Sequence, residues 1–136
     1  MESLFTVGKK NGHATAHHLK AARLWICVEF FVMTETRMEK LAAFLEQNPN
    51  DAFARYGLAM EYSNAGQTET ALEHFRKLLD SHPDYTNGYF MAAQALERAG
   101  RTPEAKKMLE TGIEAAKRIG NRHALSEMTG MLESLI

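Results

Sequence analysis

The sequence is short of the residues that build covalent or metal-bound scaffolds. Its 136 residues include one cysteine, Cys27, and three prolines. A single cysteine cannot close an internal disulfide and cannot build a zinc site by itself. The formal net charge of -1 argues against a protein whose main work is to neutralise nucleic-acid phosphates. We therefore expect no nucleic-acid partner.

Long apolar runs are also missing. A membrane-spanning helix needs roughly 18 apolar residues in succession. The most hydrophobic stretch, from Leu24 to Met33, is shorter and is interrupted by Glu29. No small-residue cleavage site of a secretory signal follows it. We expect a cytoplasmic protein that does not depend on a membrane.

Residues that could carry catalysis are scattered. His13, His17 and His18 include a pair at helical i, i+4 spacing, but no carboxylate or cysteine completes the three protein ligands that a metal site needs. No Ser/His/Asp set has suitable spacing, and no glycine-rich phosphate loop occurs. The sequence predicts no enzyme, no catalytic residue, no metal site and no cofactor.

The first part of the chain differs from the rest. Residues 1–32 carry more basic than acidic residues, whereas residues 33–136 carry more acidic than basic ones. We predict that 1–32 is an N-terminal extension, partly mobile, with a helix or strand at 16–32 packed on the domain; a membrane-surface helix is the alternative. Thr36 and Glu39 fit a capping box, so a further hypothesis makes Met33 the true start.

The sequence after residue 33 contains an internal repeat. Residues 65–71, AGQTETA, return 34 positions later as residues 99–105, AGRTPEA. Leu45 and Pro49 match Leu79 and Pro83 at the same offset. A fixed period of about this size is typical of stacked supersecondary units.

Each unit has the pattern of two helices. The first is predicted from about Asp51, whose side chain caps it, to Asn64, with Gly66 ending it in a left-handed conformation. Thr68 is predicted to cap the second helix, and Thr102 to cap its counterpart, which continues to about Ile119. A turn at Gly120 then leads into a last helix.

Small residues recur at fixed places in both units. Ala59 and Ala71 in the first, and Ala93 and Ala105 in the second, provide points where helices can approach closely. Larger apolar side chains surround them in the pattern, so we predict that these alanines form the contacts between helices.

These residues resemble the tetratricopeptide repeat (TPR) family, in particular its small bacterial members. The matching residues are Leu58, Ala59, Tyr62, Gly66, Ala71, Phe75 and Pro83, and then Ala92, Ala93, Leu96, Gly100, Ala105 and Leu109. The resemblance implies an all-α solenoid of antiparallel helix pairs in a domain at 33–136. By this resemblance, the domain has repeats at 52–85 and 86–119 and a capping helix at 122–135. A degenerate first repeat includes Met38, Leu41, Phe44 and Leu45. Arg55, Gly112 and Lys117 depart from the family pattern.

The resemblance also implies a function. In the family, the first helix of each repeat lines a concave groove that holds a partner segment, so we expect a non-catalytic scaffold or adaptor with a protein or peptide partner. The groove residues implied are Phe53, Tyr56, Met60, Ser63, Asn64, Asn87, Phe90, Met91, Gln94, Glu97 and Arg98. Members that grip acidic chaperone tails have Lys and Asn where Tyr56 and Met60 stand here. An apolar partner is therefore favoured.

Another interpretation stays open. The same apolar groove is compatible with a self-assembling structural element, in which a second copy in a homodimer, or the segment 16–32, fills it. A third reading tethers the protein to a membrane through 19–33.

Overall fold

The computed structural model describes residues 36–136, which form six helices. They are α1 (Arg37–Gln47), α2 (Ala52–Asn64), α3 (Thr68–Ser81), α4 (Thr86–Arg98), α5 (Thr102–Ile119) and α6 (Arg122–Ser134). The extension at 1–32, its element at 16–32 and the start at Met33 lie outside the described residues. The division of the chain near residue 33 stays a prediction.

The helices stack in chain order. Each of the six packs on the next, and α2 also contacts α4, which contacts α6. No such contact joins α3 to α5. The helices α2, α4 and α6 therefore form one layer, which we call the inner layer, and α3 and α5 form the outer layer. This architecture confirms the expected all-α solenoid.

Local sequence signals explain most helix ends. The Asp51 carboxylate accepts a hydrogen bond from the Ala54 backbone N–H at 2.7 Å, as the capping prediction requires. Gly66 and Gly100 have φ of 76° and 75°, a left-handed conformation that costs glycine little. The Asn121 side chain caps α6 through the Ala124 N–H at 3.1 Å.

The two threonine caps were predicted wrongly. Thr68 and Thr102 are the first residues inside their helices, and the capping positions belong to Gln67 and Arg101. The Gln67 N–H closes α2 by donating to the Tyr62 carbonyl, while the Gln67 carbonyl already accepts the first α3 hydrogen bond, from Ala71. The turn after each glycine is thus one residue shorter than a side-chain cap would need.

One core joins the helices from α2 to α6. Ala59, Ala71, Ala93 and Ala105 are fully buried within it, as a role at close approaches of helices requires. The largest fully buried side chains of this core are Phe75, Leu72, Leu109 and Met128. The capping helix thus belongs to the main core, because Met128 is one of its members.

Helix α1 packs on α2 through a smaller cluster. Leu45 is buried there with Ala54 and Leu58, and Leu41 lies beside Gly57. Phe44, named with Leu41 and Leu45 in the first repeat, is 48% exposed and is not part of this cluster. A single helix therefore represents the degenerate first repeat within residues 36–136.

Candidate interaction groove

A cavity of about 460 Å³ lies between the inner helices α4 and α6. Four residues predicted for the groove line it from α4, namely Phe90, Gln94, Glu97 and Arg98. Three residues of α6, namely Glu127, Met131 and Ser134, line it from the other side. We call this space the α4–α6 cavity.

The contribution of α6 was not predicted. Glu127, Met131 and Ser134 have the same i, i+4, i+7 spacing as Phe90, Gln94 and Glu97, and that spacing was the signal available in the sequence. The signal was hidden because α5 runs on to Ile119, which shifts α6 out of the 34-residue register. The helix assigned to cover the end of the stack therefore also forms one wall of the cavity.

The other predicted groove residues lie outside this cavity. Phe53 is 73% exposed, and Asn64 and Asn87 are exposed as well. Met60 and Met91 are half-buried and pack against the main core.

Tyr56 has a structural role on α2. Its ring meets the ring of Phe75 edge-on at a centroid distance of 6.4 Å and lies 5.4 Å from the ring of Tyr85. Burial raises the pKa of the Tyr56 hydroxyl, and Tyr85 adds to this. Tyr56 thus connects α2 to Phe75 on α3 and to Tyr85, which precedes α4. Only part of its surface remains exposed.

Ser63 and Arg98 interact directly. Arg98 donates a hydrogen bond from its guanidinium to the Ser63 hydroxyl oxygen at 2.7 Å, and Ser63 is buried. This bond connects α4 to α2. Among the described residues that line the α4–α6 cavity, Arg98 is the one cationic side chain, and this bond fixes its position.

The cavity combines apolar and acidic surface. Phe90 and Met131 are half-buried against the core. Glu97 is exposed and forms no ion pair with any residue in 36–136. The Glu127 carboxylate lies 3.5 Å from the His123 imidazole, which is charged only when protonated. Two carboxylates and one engaged guanidinium give the lining an acidic balance.

A second cavity, of about 500 Å³, opens between the outer helices α3 and α5. Its apolar floor is built from core residues, Leu72, Leu79, Tyr89 and Leu96, each no more than 8% exposed. Its lining also includes charges of both signs, from Arg76, Asp80, Glu104 and Lys107. None of the residues predicted for the groove lines this second cavity, whereas four of them line the α4–α6 cavity, which we therefore take as the candidate site.

The histidines of the described part do not assemble into a site. No three potential metal ligands come together within residues 36–136. His74 is half-buried and stacks on Tyr62 with ring centroids 5.3 Å apart. Burial lowers the pKa of His74, and Arg55 and Lys77 lower it further. None of the helices in this part of the chain is long and apolar enough to span a bilayer.

Known proteins share this repeat architecture. Tetratricopeptide repeat family profiles match residues 62–125 and residues 41–73. A TPR repeat-containing protein of Pseudomonas aeruginosa is 32% identical over 98 residues, which are 72% of this chain and 93% of that relative.

Solved structures agree. A tetratricopeptide repeat domain protein of Salinibacter ruber is 33% identical with a TM-score of 0.60, over 64% of this chain and 88% of that one. PcrH, solved in complex with the chaperone binding region of PopD, shares the fold with a TM-score of 0.67 and 17% identity, over 90% of this chain and 92% of that one. With its 34-residue repeat, paired helices and close relatives in sequence and structure, this chain belongs to the tetratricopeptide repeat family.

Proposed function

We propose that this protein is a non-catalytic, cytoplasmic interaction module that holds a segment of a partner protein against its inner layer. The observation that carries the proposal is the α4–α6 cavity, where four predicted groove residues face three residues of α6. Half-buried Phe90 and Met131 offer apolar surface that a partner side chain could cover.

The wider inner layer supports the same function. Phe53 is largely exposed, and Met60 and Met91 are half-buried, so apolar surface extends beyond the cavity along α2 and α4. Methionine side chains adapt to the shape of a bound segment. PcrH, which shares the fold, was solved with a bound region of another protein, which agrees with this use of the architecture.

The test is capture of partners from a source-cell lysate by the wild-type chain and by Gln94→Arg. Gln94 lines the cavity and is half-buried, so the longer charged side chain would obstruct the space. Tyr56→Ala is a poor choice, because Tyr56 also packs on Phe75. Proteins retained by the wild type and lost by Gln94→Arg support the groove, once a synthetic segment of the captured protein binds in the same manner.

The matched control is Glu110→Arg. Glu110 is exposed on α5 and lines neither cavity, so this variant should keep every partner. Circular dichroism and thermal unfolding of both variants establish that they are folded. Equal capture by Gln94→Arg and the wild type would contradict the proposal, and a wild-type dimer that Gln94→Arg converts to a monomer would favour self-assembly.

A further inference from the structure

The charges of the α4–α6 cavity restrict what can occupy it. Its lining contains two carboxylates, Glu97 and Glu127, and a single cation, Arg98. Arg98 donates a hydrogen bond to the Ser63 hydroxyl on α2 at 2.7 Å, which fixes its position but leaves its charge, so one positive charge stands against two negative ones. A negatively charged segment would meet two carboxylates of its own sign.

The same two carboxylates are available to a cation. Glu97 has no ion-pair partner within residues 36–136. Within the same residues Glu127 is paired with His123 alone, at 3.5 Å, and the Glu127 side chain keeps 43% of its surface exposed. A guanidinium or ammonium group would complete hydrogen bonds that the described part of the chain leaves open.

Apolar surface adjoins these carboxylates. Phe90 and Met131 line the same cavity, and both pack against the main core on their other side. The long methylene stem of Lys or Arg can lie along such surface while its charged head reaches a carboxylate. An apolar neighbour in the segment would cover what remains.

We propose that the occupant of the α4–α6 cavity is a peptide segment that places a Lys or Arg side chain on Glu97 and Glu127 and an apolar side chain on Phe90 and Met131. The proposal rests on the groove function above and adds the chemistry of the partner. It makes the cavity selective against acidic segments, because they lack the counter-charge for the two carboxylates.

The experiment selects peptides from a displayed random library on the full, folded chain. Enriched peptides should carry Lys or Arg close to an apolar residue. The dissociation constant of a selected peptide is then measured by fluorescence anisotropy for the wild type and for Glu97→Gln/Glu127→Gln. The double variant should bind about threefold to tenfold more weakly, as expected for two partly exposed ion pairs. Added salt should weaken wild-type binding by a similar factor.

The matched control is Glu46→Gln/Glu110→Gln, which removes the same charge from exposed positions outside both cavities and should leave the dissociation constant unchanged. Replacing the basic residue of the peptide by Glu should weaken binding more than the double variant does, because repulsion is added to the lost attraction. If the selected peptides contain no Lys or Arg but bind the wild type and not the Gln94→Arg variant, this inference is wrong, while the proposed groove function is still supported. Peptides insensitive to Gln94→Arg would instead refute the groove function itself.

Discussion

At the scale of single residues, Gly112 decides how closely three helices approach. A Cβ at this position would lie 2.6 Å from the Met128 sulfur and 2.6 Å from the Tyr89 Cβ. Alanine, usual here in the family, cannot fit while Tyr89 and Met128 occupy the space. The departure from the family pattern is therefore an adaptation to two large neighbours.

Gly112→Ala should lower the free energy of unfolding by about 1–3 kcal/mol, because overpacking outweighs the helix propensity of alanine. Gly130→Ala is the control within α6, since nothing lies within 4 Å of its would-be Cβ. It should stabilise the protein by up to about 1 kcal/mol. Urea unfolding measures both, and stabilisation by both substitutions would contradict the packing argument.

His74 should make stability depend on pH. Its pKa in the folded protein is lowered by burial, by Arg55 and by Lys77 from the ordinary 6.5, and its buried Nδ1 has no hydrogen-bond partner within the described part of the chain. The unfolded chain therefore takes up the proton first as the pH falls. Stability should be unaffected above pH 6.5 and should decrease as the pH falls below it, towards the lowered value.

His74→Phe keeps a ring beside Tyr62 and removes the titration, so the decrease in unfolding free energy below pH 6.5 should become shallower. His123→Phe is the comparison, because the His123 side chain is 84% exposed. Urea unfolding over a series of pH values gives both curves. Parallel curves for the wild type and His74→Phe would rule out His74 as the source.

At the scale of helices, polar side chains join residues about one repeat apart. Arg98 donates to Ser63 at 2.7 Å, and the Asn121 amide donates to the Thr86 hydroxyl at 3.3 Å. Ser63 and Thr86 are the buried polar residues of the described part. Each buried hydroxyl thus accepts a hydrogen bond from a side chain about one repeat later in the chain. These bonds favour one register of the stacked helices.

A double-mutant cycle should separate this bond from surface ion pairs. Arg98→Ala and Ser63→Ala should couple by about 0.5–1.5 kcal/mol, the usual net value of an intramolecular hydrogen bond, because Arg98 itself is exposed. Arg118→Ala and Asp84→Ala should couple by about 0.2–1 kcal/mol, because both of those side chains are more than half exposed. A larger coupling for the exposed pair in urea unfolding would contradict this ranking.

Local signals predicted the elements better than the site. Gly66, Gly100 and Asp51 fix helix ends through their own backbone or side chain, so the sequence was sufficient there. The participation of Glu127 and Met131 depends on the length of α5, which sets where α6 meets α4. The half-buried stack of His74 on Tyr62 likewise depends on contact between helices, which no single helical pattern records.

At the scale of the whole described domain, two clusters of different size determine which part opens first. The main core connects α2 through α6, whereas α1 adjoins α2 alone among the described helices, through a small cluster around Leu45. Stability in repeat proteins is approximately a sum over neighbouring units, so an end unit with a small interface opens at low free energy. Amide hydrogens of α1 should therefore exchange faster than those of α4.

Two core truncations test this order by native-state hydrogen exchange. Met128→Ala removes a fully buried side chain of the main core. It should lower the free energy of opening of the amides of α4 and α5 together, by about 2–5 kcal/mol. Leu45→Ala should reduce the protection of α1 and leave that of α4 unchanged, because Leu45 belongs to the smaller cluster. If Leu45→Ala reduced protection equally in every helix, α1 would belong to the same cooperative unit as the main core, and the two clusters would open together.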